Sequence, residues 1–219
     1  MLASCKRWRE VAFLALAISF GMAPANPPPP DRIEEDWQAM VANPDPSSSG
    51  PQITTCMNPS SDPSGAFATF YVNYQDYPEW QPGGMQVKAY GPPPDPSSNP
   101  PVLASSSSGN GVCETQGETI KWTQRLSIWG GSVHFEVING QSATWGQFGQ
   151  SQGLSGVSLS SSLSDLGAYK PDYSVAKSGV SWESNRVTSM TLVQVRYYQA
   201  GQLIATDTNP RSVKLGTGN

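Results

Sequence analysis

Residues 119–138 contain two runs of alternating apolar and polar side chains that are separated by a Gly-Gly pair. The first run extends from Thr119 to Trp129, and the second from Ser132 to Ile138. Alternation with a period of two is typical of a β-strand with one buried face, and two glycines between such strands favour a tight turn. This segment therefore predicts an antiparallel β-hairpin near the middle of the chain.

The same alternation occurs on both sides of the hairpin, at 66–74, 85–90 and 186–198. The chain has 21 Gly and 20 Pro among its 219 residues. Only 14% of the residues are charged, where an average soluble domain has roughly 25%. This composition favours turns over helices and excludes a coiled coil, a helical bundle and a basic nucleic-acid binder. We predict an all-β fold in which two antiparallel sheets pack as a sandwich.

The first 25 residues have the pattern of an export signal. A basic stretch at 5–10 precedes an uncharged apolar run at 11–20, and Ala23 and Ala25 form an A-x-A site. We predict cleavage after Ala25, with an uncleaved anchor as the alternative. The expected protein is secreted or periplasmic and has no membrane attachment after cleavage. Because three of the four charged residues lost are basic, the mature part is more acidic than the net −4 of the full chain, which argues against nucleic-acid binding.

Four parts of the chain are predicted: a signal peptide at 1–25, a Pro-rich linker at 26–32, a single β-sandwich domain at 33–215 and a tail at 216–219. Residues 33–42 fit either a short helix or a first strand. We favour the strand because a Pro- and Ser-rich loop follows it directly. No helix is predicted after residue 42, and the sequence Lys170-Pro-Asp-Tyr is interpreted as a turn.

Two cysteines, Cys56 and Cys113, remain after the predicted cleavage. An exported pair predicts a disulfide, which would close a loop of about 57 residues and contribute about 4 kcal/mol to stability. Two buried thiols are the alternative. We expect no zinc site, because His134 is the only histidine of the chain. No cofactor is expected, although calcium stays open through the Asp- and Asn-containing loops at 43–45 and 58–62.

The position of each residue along its strand predicts which face of the sheet it occupies. Gln124 is the exception on an otherwise apolar side of its strand. The residues predicted to form the core between the sheets are Met85, Val87, Ala89, Ile120, Trp122, Leu126, Ile128, Val133, Phe135, Val137, Val193, Val195 and Tyr197.

The opposite face of the central strands is predicted to carry a candidate ligand-binding site. Its five members are Lys88, Arg125, Trp129, His134 and Glu136. An aromatic ring can stack on a pyranose while polar groups bind its hydroxyls, so this mixture of side chains fits a carbohydrate. The alternative is an ordinary solvated sheet face, on which cross-strand charges pair weakly.

Two stretches resemble the concanavalin A-like lectin/glucanase jelly rolls. The first contains Lys121-Trp122, the strand 132–140 that ends in Asn-Gly, and Trp145; the second is the closing strand at 190–198. The mature chain is also similar in style to secreted bacterial proteins of this size. The resemblance implies a jelly-roll-like, curved sandwich with a carbohydrate groove on its concave sheet.

The catalytic motif of the glucanases, Glu-x-Asp-x-x-Glu, does not occur in this sequence. The nearest acidic cluster, Ile33-Glu-Glu-Asp36, has adjacent glutamates that point to opposite faces of a strand, whereas a retaining pair needs its carboxyls about 5 Å apart in one cleft. No catalytic residue is therefore assigned from the resemblance.

Three functions remain as expectations. The first is a non-catalytic module that binds a polysaccharide or cell-envelope glycan, or that otherwise associates with the envelope. The second is a polysaccharide-active hydrolase or lyase without a recognisable motif, for which Tyr90 and Arg125 are candidate lyase residues. The third is a structural domain that binds other proteins. Whether the protein is an enzyme stays open, and the absence of a motif favours the first function.

Overall fold

Two antiparallel β-sheets packed against each other form the domain, which confirms the predicted all-β sandwich. The computed structural model describes residues 28–43, 50–62, 65–74, 84–95, 97–108 and 114–215. The predicted signal peptide, the first part of the linker, the tail and Cys113 lie outside these residues.

The strands of the described residues are β1 (Arg32–Val41), β2 (Gln52–Met57), β3 (Phe67–Tyr74), β4 (Gly84–Tyr90), β5 (Val102–Ser108), β6 (Glu118–Trp129), β7 (Ser132–Ser142), β8 (Gly146–Phe148), β9 (Val157–Ser160), β10 (Gly179–Ser181), β11 (Val187–Gln199), β12 (Gln202–Asp207) and β13 (Arg211–Ser212). The larger sheet has the order β12-β11-β1-β6-β7-β8, with β13 beside β11 and β9 beside β7. The smaller sheet has the order β10-β2-β3-β4-β5.

A seven-residue helix, α1 (Pro171–Lys177), lies against β2. The interpretation of this segment as a turn was wrong. Proline is well tolerated at the first helical position, because a backbone N–H there would have no partner within the helix. The negative charge of Asp172 in the first turn also stabilises the helix by interacting favourably with the helix dipole. Within the described ranges, the chain forms no helix of the length and apolarity needed to cross a membrane.

Strand β1 occupies a central place in the larger sheet, which confirms the choice of a strand over a helix for residues 33–42. It pairs with β6 on one side and β11 on the other. Trp37 of β1 lies opposite Trp122 of β6, and the two rings stack with their centroids 6.4 Å apart. Phe70, from the smaller sheet, packs against Trp122 in a T-shaped arrangement, with the ring centroids 5.7 Å apart. These three rings join the two sheets at the centre of the core.

The predicted core is confirmed on β4, β6 and β7, where the apolar sets are buried apart from the partly buried Ile128. The prediction was wrong for Val193, whose exposed fraction is 37%. Asp36 pairs with Gln194 and Trp37 with Leu192, so Val193 is an extra residue in β11. Such a β-bulge reverses the alternation of faces along a strand. As a result Leu192 and Val195 both point into the core.

Candidate functional site

The solvent-facing side of the larger sheet, here called the outer face, carries a row of alternating charges across four neighbouring strands. Arg196 of β11 lies opposite Glu34 of β1, Glu34 lies opposite Arg125 of β6, and Arg125 lies opposite Glu136 of β7. Because all four residues share one register, each charge has an opposite charge beside it. We call these residues the charged row.

Direct ion pairs connect the members of the charged row. Glu34 accepts hydrogen bonds from Arg125 Nε at 3.0 Å and from Arg196 Nη2 at 3.2 Å. Arg125 Nη1 donates to Glu136 at 3.2 Å, and Gln150 donates to the other oxygen of Glu136 at 2.9 Å. Glu34 is almost fully buried by these partners. Charge-assisted hydrogen bonds of this kind hold long side chains in one arrangement. The structure thus brings the predicted residues Arg125 and Glu136 together.

Asp36 lies two residues further along β1, on the same outer face as Glu34. Its carboxylate accepts hydrogen bonds from Thr123 at 2.7 Å and from Arg196 Nη2 at 2.8 Å, and also from Gln194. Burial by itself raises the pKa of Asp36, but the bonds from Arg196, Gln194 and Thr123 outweigh this effect and lower the pKa below its usual range. Asp36 therefore stays ionised and fixed in place.

A shallow groove of about 350 Å³ runs beside Asp36 across the outer face. It continues into a second depression of about 440 Å³, with which it shares Lys121 and Gln141. Lys121 and Gln141 pair across β6 and β7, so they form the floor at the point where the two depressions meet. The polar residues that line the whole groove are Asp36, Gln38, Thr119, Lys121, Thr123, Asn139, Gln141, Ser142, Gln147 and Arg196. Hydrogen-bond donors and hydrogen-bond acceptors are therefore both available along the length of the groove.

Trp129 and His134 form a stacked pair at the hairpin end of β6 and β7. Their ring centroids are 3.8 Å apart and their planes differ by 6°. His134 is itself fixed, because Nδ1 is 2.7 Å from Ser158 Oγ and Nε2 is 3.2 Å from the carbonyl oxygen of Trp129. The exposed fraction of Trp129 is 65%. One face of the indole is thus supported by His134, while the ring as a whole remains largely accessible.

Lys88 does not belong to the outer face. It lies in β4 of the smaller sheet, where it is buried and its Nζ is 5.6 Å from the centre of the Tyr71 ring. The prediction that the five candidate residues share one face was therefore wrong for Lys88, because alternation assigns the face of a strand but not its sheet. Tyr90 and Arg125, the candidate lyase residues, do not lie together either, because they belong to different sheets. Tyr90 is in the smaller sheet, 2.9 Å from the hydroxyl of Tyr71, and Arg125 is in the larger one.

The predicted site omitted Glu34, Asp36, Lys121, Gln141 and Arg196. A signal for the two acids was present, since residues two apart in a strand share a face, and Glu34 and Asp36 are two apart. The adjacent Glu35 points the other way, which confirms that the two glutamates occupy opposite faces of the strand, and the structure places Glu35 in the core. The sequence of a single strand cannot show that Glu34 and Arg125 are neighbours, because their contact depends on the pairing of β1 with β6.

The disulfide stays a prediction, because Cys113 lies outside the described residues. Cys56 is buried on the outer side of the smaller sheet, and burial raises the pKa of its thiol to about 12. In the described parts of the chain, no group of three His, Cys, Asp or Glu side chains is placed to hold a metal ion. The loop 58–62 is instead closed by Asn58, which donates to the Asp62 carbonyl at 2.8 Å and accepts from the Ser60 N–H at 2.9 Å.

Comparisons with protein-family models, with curated proteins and with solved structures give no match to this chain. Function is therefore inferred from the outer face itself. Its three parts are the charged row, the polar groove and the stacked Trp129–His134 pair. Together they form one continuous surface on β11, β1, β6 and β7 that offers hydrogen-bonding groups, fixed charges and an aromatic platform.

Proposed function

We propose that the protein is a non-catalytic carbohydrate-binding module whose ligand lies along the outer face of the larger sheet. The observation that carries the proposal is the polar groove that crosses this face beside Asp36. Carboxylate, guanidinium and amide groups bind the hydroxyls of a sugar, which both donate and accept hydrogen bonds. Trp129 supplies the apolar surface on which a pyranose ring stacks.

The length of the surface favours a polymer over a single sugar. Thr123 in the groove and Trp129 are six residues apart on β6, and a strand rises about 3.3 Å per residue. The two are therefore separated by about 20 Å, which is longer than one pyranose ring. A polysaccharide or a cell-envelope glycan fits this length and is the ligand class that we propose.

The ion pairs on the outer face support binding because they hold the protein side chains in place before a ligand arrives. Less side-chain entropy is then lost on binding. Arg196 contacts both Glu34 and Asp36, and Arg125 contacts both Glu34 and Glu136. Ordering a long side chain on binding costs about 0.5–1.5 kcal/mol. Side chains that are already ordered in the free protein avoid much of this cost.

The state of the carboxyl groups favours binding over hydrolysis. A glycosidase needs a general acid with a raised pKa next to the glycosidic bond. The pKa of Asp36 is lowered instead. Glu35 has a raised pKa, but its side chain is buried between the sheets and does not reach the groove. The described carboxyl groups at the groove therefore suit hydrogen bonding to sugar hydroxyls.

We place the domain among jelly-roll-like sandwiches of the concanavalin A-like type and propose that it acts after export, in the periplasm or outside the cell. The connections β1–β2 and β5–β6 cross between the sheets, as in a jelly roll, and this supports the assignment. The basic, apolar and small-residue segments of the first 25 residues support export.

Replacing Trp129 with Ala is expected to weaken glycan binding about tenfold, because the stacking surface is lost. The measurement is retention of the mature protein on an array of immobilised polysaccharides, followed by calorimetric titration with the best oligosaccharide. Trp182→Ala is the matched control, since Trp182 is also exposed but follows β10 of the smaller sheet. Loss of binding in both variants, or in neither, would contradict the proposed site. Failure of the wild type to bind any glycan would refute the function.

A further inference from the structure

A segment at 167–178, here called the strap, contacts both sheets of the sandwich. It contains α1, which lies against β2 of the smaller sheet and also contacts β13 of the larger one. The strap is fixed at both ends. Leu166, directly before it, donates a backbone hydrogen bond of 2.7 Å to the carbonyl oxygen of Pro30, and β10, directly after it, pairs with β2.

Two residues of the strap are buried, Tyr169 and Ser174, and the hydroxyl groups of both form hydrogen bonds with the same carboxyl group, that of Glu35. All the other strap residues are exposed or partly buried. Glu35 is itself completely buried between the sheets. The contact between the strap and the interior of the sandwich is thus centred on one ionisable group.

The surroundings of Glu35 favour its protonated form. Gln124 lies directly opposite Glu35 in the pairing of β6 with β1, and its Oε1 is buried without a hydrogen-bond partner among the described residues. Opposite residues in a sheet have Cβ atoms about 4.5–5.5 Å apart, so a protonated carboxyl can supply the donor that this oxygen lacks. Burial also raises the pKa of Glu35 to about 7, although its three hydrogen bonds act in the opposite direction.

The other titratable groups that interact with Glu35 keep their charge state between pH 5 and 8. In the described part of the chain they are Tyr169, Cys56 on β2, Tyr197 on β11 and Arg211 on β13. Burial raises the pKa of the two tyrosines and of the cysteine, so these three groups stay neutral. Arg211 stays positive, because its bonds to two aspartates keep the pKa of its guanidinium above the usual value. The charged residues of the strap itself, Lys170, Asp172 and Lys177, are exposed.

We propose that the strap is a pH-dependent latch, which is closed while Glu35 is protonated and is released from the sandwich when Glu35 ionises. Ionisation places a charge beneath the strap where no water reaches it, and opening of the strap hydrates that charge. The other neighbours of Glu35 are less free to move, because Trp37 and Gln124 belong to β1 and β6 at the centre of the larger sheet. A helix of seven residues has little stability of its own, so the strap is the element that opens most easily.

A cavity of about 220 Å³ beside α1 favours opening at this place. It lies over the smaller sheet, where Tyr173 and Lys177 of the helix line it together with Cys56 and Thr69 of the strands. This flank of the helix is therefore not closely packed against the sheet, and fewer van der Waals contacts are lost when the strap moves. The latch does not depend on the proposed glycan function, since Glu35 points away from the outer face.

Hydrogen exchange of the mature protein at pH 5 and pH 8 tests the latch. The backbone N–H groups of Tyr169, Tyr173 and Ser178 form local hydrogen bonds that report opening of the strap. After correction for the intrinsic effect of pH on exchange, their protection should fall about 70-fold from pH 5 to pH 8, because opening returns the pKa of Glu35 from about 7 to 4.5. In Glu35→Gln their protection should not depend on pH.

Urea separates opening of the strap from global unfolding, which also depends on Glu35. Local opening exposes little surface, so about 1 M urea should leave the protection of the strap unchanged and lower that of β6. Asp172→Asn is the matched control, because it removes the ion pair with Arg211 at 2.8 Å and should keep the pH dependence. The proposal is overturned if the strap is as protected and as sensitive to urea as β6, or if Glu35→Gln keeps the pH dependence of the wild type.

Discussion

Replacing Glu35 with Gln is expected to remove a large pH dependence of stability between about pH 4.5 and 7. Glu35 is fully buried between the sheets, where it accepts hydrogen bonds from Trp37 Nε1 at 2.8 Å and from the hydroxyl of Tyr169. Burial raises the pKa of its carboxyl from 4.5 to about 7, although the bonds from Ser174, Tyr169 and Trp37 work in the opposite direction. The folded protein therefore keeps this proton over a range in which the unfolded chain has lost it.

The sign of the effect follows from this difference in bound protons. Below pH 4.5 both the folded and the unfolded protein hold the Glu35 proton, so the ionisation of Glu35 does not lower the free energy of unfolding. Between pH 4.5 and 7 the unfolded chain loses the proton first, and the free energy of unfolding falls by about 1.4 kcal/mol per pH unit. Above pH 7 the loss is complete and amounts to about 3 kcal/mol.

Urea unfolding at pH 4.5, 6 and 8 measures this prediction as a difference between proteins. The wild type should lose about 3 kcal/mol across the series relative to Glu35→Gln, because Gln carries no titrating proton. Glu114→Gln is the control, since Glu114 is exposed, and its profile should remain parallel to that of the wild type. Parallel profiles for wild type and Glu35→Gln would show that the buried carboxyl does not titrate in this range.

Replacing Trp122 with Ala is expected to lower the free energy of unfolding by about 3–5 kcal/mol. The side chain is buried between Trp37 of its own sheet and Phe70 of the other, so truncation leaves a cavity where the sheets meet. Trp129→Ala is a matched control on the same strand. Trp129 points to the outer face and should change stability by less than about 1 kcal/mol.

Chemical denaturation of the two tryptophan variants gives the comparison directly. The contrast depends only on the alternation of faces along β6, since both substitutions remove the same side chain. Equal losses of stability, or a larger loss for Trp129→Ala, would contradict the assignment of Trp122 to the core and of Trp129 to the surface. A stable Trp129→Ala protein is also what the glycan-binding experiment needs.

Local alternation predicted the fold well wherever strands are regular. The Gly-Gly turn, β6 and β7, and the inward placement of Trp122 and Phe135 all follow from the sequence between 119 and 138. The same rule failed on β11 because one extra residue, Val193, shifts the phase between two buried positions. A bulge depends on the partner strand, and the sequence of β11 alone carries no sign of it.

Polar residues in the core show the second limit of sequence reasoning. Gln124 interrupts the apolar side of β6, and its amide donates to Thr55 of the smaller sheet. Gln124 also lies directly opposite Glu35 of β1 in the larger sheet. These residues are far apart in the chain: Gln124 and Glu35 meet when β1 pairs with β6, and Gln124 and Thr55 meet when the sheets pack. A polar core residue can be noticed in a sequence, but its partners can be named only from the pairing of strands.

The candidate site was predicted in part for the same reason. Arg125, Trp129, His134 and Glu136 belong to one hairpin, and the turn alone brings them to one face. Lys88 was grouped with them although β4 belongs to the other sheet. The groove was missed because its lining comes from separate strands, and its position depends on the order β11-β1-β6-β7-β8.

Hydrogen exchange with and without a bound oligosaccharide tests the central claim most directly, that the outer face of the larger sheet is the glycan-binding surface. The account predicts slower exchange on binding in β1, β6 and β7, with no change in β3 and β4 of the smaller sheet. Protection confined to the smaller sheet, with β1, β6 and β7 unchanged, would contradict it.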